Sequence, residues 1–90
     1  MFTGIIRDTG VVRAIDASAG GARLRIEAPR IRERLFRGGS VAVDGVCLTV
    51  TELAGGSFAA EAVPETLRRS RLGDYAAGDR VNLELPVAAG

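Results

Sequence analysis

The residues best suited to chemistry alternate along a strand-like segment near the middle of the chain, residues 45–51. Successive side chains of a β-strand point to opposite faces. One predicted face of this segment is aliphatic, and the other carries Cys47, Thr49 and Thr51. Such a strand can anchor in a core through its aliphatic face while its thiol and hydroxyl groups contact a ligand.

Four short blocks follow one another along the chain: M-F-T-G-I-I at 1–6, G-V-C-L-T-V-T at 45–51, P-E-T-L at 64–67 and L-G-D at 72–74. Each block alone is a weak signal. In combination they resemble the riboflavin synthase family, and specifically its N-terminal lumazine-binding domain. The resemblance covers Met1 to about Val87. The family enzyme carries two tandem copies of this domain, whereas this sequence contains one.

Composition predicts a single domain with few options for catalysis. Ninety residues, 47% of them apolar, suffice for one core and not for two. The formal net charge of +1 argues against nucleic-acid or membrane binding. One Cys and no His exclude a zinc site or a His-containing triad built from this chain alone, and the lone Cys fits a cytoplasmic location. We predict a barrel domain over residues 1–87 and the start of a linker or tail over 88–90.

Glycine pairs and an Asp44-Gly45 step divide the chain into short strand-like stretches. The predicted strands are Thr9–Ala17, Arg23–Glu27, Ser40–Val43, Val46–Leu53, Ser57–Val63 and Val81–Leu85. The first alternates imperfectly, which indicates a bend. Short helices are predicted near 29–37, where Ile31 and Leu35 recur at helical spacing, and near 64–70. Six short strands predict an all-β barrel, and the resemblance implies a closed six-stranded antiparallel Greek-key barrel.

The resemblance also implies which residues line a pteridine pocket. They fall in three segments: Gly4, Ile5 and Ile6; Cys47, Leu48 and Thr49; and Glu61, Ala62, Val63, Pro64, Glu65 and Thr66. Hydroxyl contacts are implied for Thr49 and Thr66, and Gly4 permits close backbone approach to the ring. Each also has a purely structural interpretation, with Cys47 as a small buried apolar residue, the threonines as β-formers and Glu65 as a helix-start acid.

Two residues are catalytic candidates. By resemblance, Cys47 lies in the pocket, and Ser40 lies near the site that forms between two domains. The resemblance does not make Cys47 a covalent nucleophile. Ser40, the first residue of a predicted strand, also has a plain interpretation as a turn former.

For the whole enzyme, the resemblance implies a dismutation of two molecules of 6,7-dimethyl-8-ribityllumazine. One molecule donates a four-carbon unit to the other, which yields riboflavin and 5-amino-6-(ribitylamino)uracil without a metal or redox cofactor. A single domain is expected to bind its pteridine or flavin ligand with little turnover. It is also expected to form a homodimer, whereas the full-length family enzyme is a homotrimer.

Three alternatives stay open on the sequence alone. A non-catalytic lumazine or flavin carrier, such as the optical antenna proteins of luminous bacteria, has the same kind of domain but also carries two repeats. A flavin-reductase-type barrel would need a nicotinamide site, for which the sequence offers no motif. An interaction module would use the motif residues only structurally, and ligand titration separates that case from the others.

Overall fold

Alternating apolar and polar residues close six strands into one antiparallel barrel, in the order β1-β2-β5-β4-β3-β6. The computed structural model describes residues 5–18, 21–62 and 75–86. The strands are β1 Ile5–Ser18, β2 Gly21–Glu27, β3 Ser40–Val43, β4 Val46–Ala54, β5 Ser57–Ala62 and β6 Arg80–Pro86. All six predicted strands are therefore confirmed, with bounds shifted by a few residues.

The strand order contains the predicted Greek key. Tight turns join β3 to β4 and β4 to β5, and β2 lies on the far side of β5. Residues 28–39 must therefore cross from β2, next to β5, to β3 at the other edge of this group. Because every strand has two neighbours, closure leaves no exposed sheet edge.

The turn between β3 and β4 is the hairpin that the Asp-Gly step predicts. Asp44 has φ 48° and Gly45 has φ 86°, so both central residues occupy the left-handed region. A two-residue loop of this kind matches the twist of the flanking strands. Asp tolerates the left-handed conformation better than most residues, and Gly adopts it without steric cost.

In the described residues, aliphatic side chains and the ring of Phe58 fill the barrel interior. Strand β2 shows the pattern, because Leu24 and Ile26 are buried whereas Arg23 and Arg25 point outward. The interior side chains come from Val12, Ala22, Leu24, Ile26, Val41, Val43, Leu48, Val50, Phe58, Ala60, Ala62, Val81 and Leu83. Within the described ranges no polar or charged residue is buried, so the interior offers a polar ligand nothing to bind.

A β-bulge explains the imperfect alternation of the first strand. The β1–β2 register runs through Val12 and resumes at Ala14, so Arg13 is the extra residue. Before the bulge Val12 faces the interior, and beyond it the partly buried Ile15 packs against the core. The inward face thus changes from even to odd positions, which confirms the bend.

The helix predicted near 29–37 is only a single 3₁₀ turn, Arg32–Arg34. Its predicted apolar contacts are present, because Ile31 and Leu35 are buried in the core cluster. Phe36, which follows them, is 66% exposed. The spacing of the apolar residues was therefore informative about burial, but the length inferred for the helix was wrong.

The short turn has a physical cause in the residues that follow. The N–H of Gly38 donates to the carbonyl of Val50 at 2.8 Å, and the N–H of Val50 donates to the carbonyl of Gly39 at 2.9 Å. These bonds extend the β3–β4 ladder towards the turn, and the chain is already extended at Leu35 (φ −95°, ψ 150°). The second predicted helix, 64–70, lies outside the described residues.

The β3–β6 seam closes the barrel with two register pairs in the described strands, fewer than any other strand pair. Asp44 lengthens this seam. Its N–H donates to the carbonyl of Asn82 at 2.8 Å. Its carboxylate accepts the N–H of Asn82 at 2.6 Å and the hydroxyl of Tyr75. Asp44 therefore extends the hydrogen bonding between β3 and β6 beyond the two register pairs, partly through its side chain.

Gly10 provides a test of interior packing. A Cβ at this position would lie 2.7 Å from Cγ2 of Ile26 and 2.9 Å from Cδ1 of Leu83. We expect Gly10→Ala to lower the free energy of unfolding by about 1–3 kcal/mol, as overpacking does. The melting temperature of a domain this size should fall by roughly 4–8 °C per kcal/mol.

Gly56→Ala is the matched control, since its Cβ would make an ordinary contact 3.4 Å from Cβ of Pro29. Calorimetry or circular dichroism melts of both variants provide the comparison. If Gly10→Ala melts at the wild-type temperature, β1 does not pack as closely as the structure shows.

Candidate ligand-binding face

Three neighbouring strands place predicted ligand contacts in one row on the outer surface. Thr49 of β4 lies opposite Ser40 of β3 on one side and opposite Glu61 of β5 on the other. All three side chains are exposed, and Cβ atoms at directly opposite positions lie about 4.5–5.5 Å apart. The ladder therefore brings two hydroxyls and a carboxylate within reach of one small molecule.

Cys47 lies beside this row on the same face. It is two residues before Thr49 on β4 and opposite Ala42 of β3, which is itself opposite Glu84 of β6. The thiol is exposed, so the interpretation of Cys47 as a buried apolar residue is wrong. The small side chain of Ala42 leaves space between the thiol and the Glu84 carboxylate.

Leu48 and Ala62, which the resemblance also places in the pocket, face the interior and are buried. Contacts from these two residues to a ligand on the outer surface would have to come from their backbone. On β3, Cys47 and Leu48 pair with Ala42 and Val41.

The first residues of β1 lie next to β6, on the other side of β3 from Cys47 and Thr49. Ile5 and Ile6 pair with Pro86 and Leu85 of β6, the strand that also pairs with β3. Ile6 packs against the core cluster. The first predicted segment thus lies at the same end of the barrel as the second. The remaining predicted contacts lie outside the described residues: Gly4, Val63, Pro64, Glu65 and Thr66.

A second bulge corrects the predicted position of Thr51. The β4–β5 register passes from Val50 to Glu52, so Thr51 is the extra residue. It is partly buried, and its hydroxyl donates to the carbonyl of Ala59 at 3.4 Å. Thr51 therefore does not extend the exposed row.

A bridge of ion pairs runs alongside the row, from β4 across β5 to β2, and the sequence did not predict it. Glu52 of β4 accepts hydrogen bonds from Nη2 of Arg25 at 2.5 Å and from Nη2 of Arg23 at 2.8 Å. Hydrogen bonds from Arg25 and Arg23 hold the pKa of the Glu52 carboxyl below its ordinary value. The alternation of β2 indicates outward arginines, but it carries no information about a partner two strands away.

The bridge crosses β5 above Ala59, which lies opposite both Arg25 and Glu52. Ala59 alternates with the inward residues of β5, yet it is only 1% exposed. The charged side chains that pass over it account for this burial, because long side chains cover apolar surface with their stems. A small residue is needed at this position for the bridge to close.

An open groove of about 300 Å³ lies on the β1–β6 side, lined by Arg7, Asp8, Asn82, Leu83 and Glu84. Nε of Arg7 and Oε2 of Glu84 are 3.4 Å apart. Both side chains have substantial exposure, and surface ion pairs of this kind contribute little to stability. Glu84 connects this groove to the surface that carries Cys47 through Ala42.

Within the described ranges, no three or more His, Cys, Asp and Glu side chains are grouped to hold a metal ion. No helix in the same ranges is long and apolar enough to span a membrane.

Together these features define a closed Greek-key barrel with its candidate ligand-binding residues on the outer wall near one end. The family model described as the lumazine binding domain matches residues 3–86. The chain belongs to the lumazine-binding domain family, which confirms the resemblance inferred from the motifs.

Curated relatives are similar along the whole chain. Riboflavin synthase of Mycobacterium tuberculosis is 46% identical over 91 residues, which is 100% of this chain and 45% of the relative. Riboflavin synthase of Bacillus subtilis is 39% identical over 89 residues, which is 99% of this chain and 41% of the relative. The chain therefore spans less than half the length of these curated relatives.

A solved structure has the same fold. The crystal structure of LumP complexed with 6,7-dimethyl-8-(1′-D-ribityl)lumazine superposes with a TM-score of 0.82 and 27% sequence identity. The match covers 94% of this chain and 48% of the LumP chain.

Proposed function

We propose that this chain binds 6,7-dimethyl-8-ribityllumazine and riboflavin, as the N-terminal half of a riboflavin synthase does. The observation that carries the proposal is the exposed row of Ser40, Thr49 and Glu61, with Cys47 beside it. Family membership and the lumazine-complexed structural neighbour support the same ligand class.

The row suits a flat heterocycle. A pteridine ring needs fixed donors and acceptors along its edge and an apolar surface under its face. Thr49 supplies an exposed hydroxyl, and Cys47 supplies an exposed thiol beside it. Ala42 gives the ring a surface without a bulky side chain. A ring bound here has one face on the wall and its other face open.

The reaction we propose for the complete enzyme is the dismutation of two lumazines, a transferase activity of the cytoplasm. Two rings must be stacked and oriented for the four-carbon transfer, so catalysis depends strongly on proximity. One barrel wall holds one ring. Cys47 and Ser40 are the catalytic candidates of this wall, because both are exposed beside Thr49.

Ligand titration tests the binding proposal. Riboflavin emission and anisotropy should change on addition of the protein, with a dissociation constant in the roughly micromolar range typical of metabolites. Thr49→Val should weaken binding by about 1 kcal/mol, the net value of one hydrogen bond.

Thr9→Val is the control for Thr49→Val. Thr9 is also exposed, but it lies on β1 opposite Asn82, outside the proposed contact row. Flavin emission that stays unchanged at saturating protein would refute the binding proposal. An equal effect of both substitutions would remove Thr49 from the site.

A homodimer is the second expectation. Binding on an outer wall leaves one ring face bare, and a second copy can cover it through an isologous contact, the commonest oligomeric arrangement. Phe36, with 66% of its surface exposed, adds apolar area for such a contact. Sedimentation equilibrium with and without riboflavin measures the mass. A 9.4 kDa species at high concentration with ligand present would contradict the expectation.

Turnover by this chain alone should be very low. Two identical walls would offer the donor and the acceptor lumazine the same groups, although the reaction treats them differently. Proton removal and ring addition call for positioned acids and bases, and each missing group typically costs ~10²–10⁴-fold. Conversion of lumazine to riboflavin, followed by absorbance, should be compared with a two-repeat relative. Equal rates per site would show that one kind of barrel suffices.

A further inference from the structure

Glu61 is a carboxylate at the edge of the candidate ligand-binding face. Its cross-strand neighbours are Thr49 on β4 and Arg23 on β2. Opposite charges at paired strand positions attract each other, so Arg23 is the expected ion-pair partner. The guanidinium of Arg23 instead donates to Glu52 at 2.8 Å. Within the described ranges, Glu61 has no ion pair.

The diversion of Arg23 has a structural cause. Glu52 of β4 holds the guanidinium groups of both Arg23 and Arg25 above Ala59, which lies two residues before Glu61 on β5. The positive charge of Arg23, the neighbour of Glu61 on β2, is therefore already offset by Glu52. On the other side of Glu61 lies the hydroxyl of Thr49, which is exposed and uncharged. A ligand bound over Thr49 would therefore lie closer to the Glu61 carboxylate than to the guanidinium groups of Arg23 and Arg25.

We propose that Glu61 is a specificity-determining residue, which makes the site select a ribityl chain without a phosphate group. The inference rests on the proposed function. An ionised carboxylate only accepts hydrogen bonds, so it suits the hydroxyl groups of a ribityl chain. It repels a phosphate ester, which carries a charge of about −1.5 to −2 at pH 7. Riboflavin should therefore bind more tightly than riboflavin 5′-phosphate.

The size of the effect follows from Coulomb's law. A phosphate about 8 Å from the carboxylate in water should bind about fivefold more weakly than the uncharged hydroxyl, and more weakly still at a lower effective dielectric. Salt screens the repulsion, because the Debye length falls from about 30 Å at 0.01 M to about 8 Å at 0.15 M ionic strength. The preference should therefore be largest at low salt.

The experiment measures dissociation constants of the chain for riboflavin and riboflavin 5′-phosphate by fluorescence, at about 10 mM and 150 mM ionic strength. Wild type should prefer riboflavin about fivefold at low salt, with a smaller ratio at high salt. Glu61→Gln, which removes the charge and keeps the size, should bring the ratio close to one at both salt concentrations.

Glu27→Gln is the charge-matched control. Glu27 is four residues along β2 from Arg23, about 13 Å from it at 3.3 Å per residue, and its partner is Arg13. This variant should keep the wild-type ratio. Equal wild-type affinities at low salt, or a preference that persists in Glu61→Gln, would overturn the inference while riboflavin binding stands. Failure to bind either compound would refute the proposed function itself.

Discussion

Closure through the short β3–β6 seam is the constraint on which the rest of the structure depends. Two register pairs alone would hold this seam weakly. Asp44 adds bonds to both backbone groups of Asn82 and one to Tyr75. The left-handed conformation of Asp44 serves the hairpin and directs its carboxylate to β6. Closure fixes β3 between β4 and β6, and thereby sets where Ser40 and Ala42 lie on the outer wall.

A filled interior determines where a ligand can bind. A barrel of six strands is small enough for its own side chains to fill it, and here these side chains are aliphatic apart from Phe58. Among the residues that the structure describes, no buried polar side chain could bind a polar heterocycle inside, and the candidate polar groups are on the outer wall. The alternation of β4 provides this arrangement, because Leu48 and Val50 anchor the strand while Cys47 and Thr49 face solvent.

The fold was predictable because its signals are local. Alternation identified the strands, and the Asp-Gly step identified a hairpin that the positive φ values confirm. The bulges at Arg13 and Thr51 were harder, since one extra residue changes the face of everything after it without a distinctive residue type. The helix near 29–37 was overestimated because the chain that follows it is held by long-range bonds, from the N–H of Gly38 to the carbonyl of Val50 and from the N–H of Val50 to the carbonyl of Gly39.

The sequence could predict which residues belong to the candidate site, but it could not predict how they are arranged. Motif resemblance selected Ser40, Cys47, Thr49 and Glu61, but only the strand register shows that they share one face. Their roles in binding and catalysis stay predictions. The bridge at Glu52 depends on a register between strands separated by β5, so no local pattern could indicate it.

The register also divides the outer wall into two chemical regions. On the β3–β4 side it presents hydroxyls, a thiol and a small alanine, and on the β2 side it presents arginines already engaged by Glu52. Glu61 stands at the boundary between them. A ring on the uncharged region would have hydrogen-bonding groups at its edge and a fixed negative charge beside it. The second face of the ring would remain in water. The outer surface of one barrel therefore forms a complete reaction site only when the outer surface of another barrel packs against it.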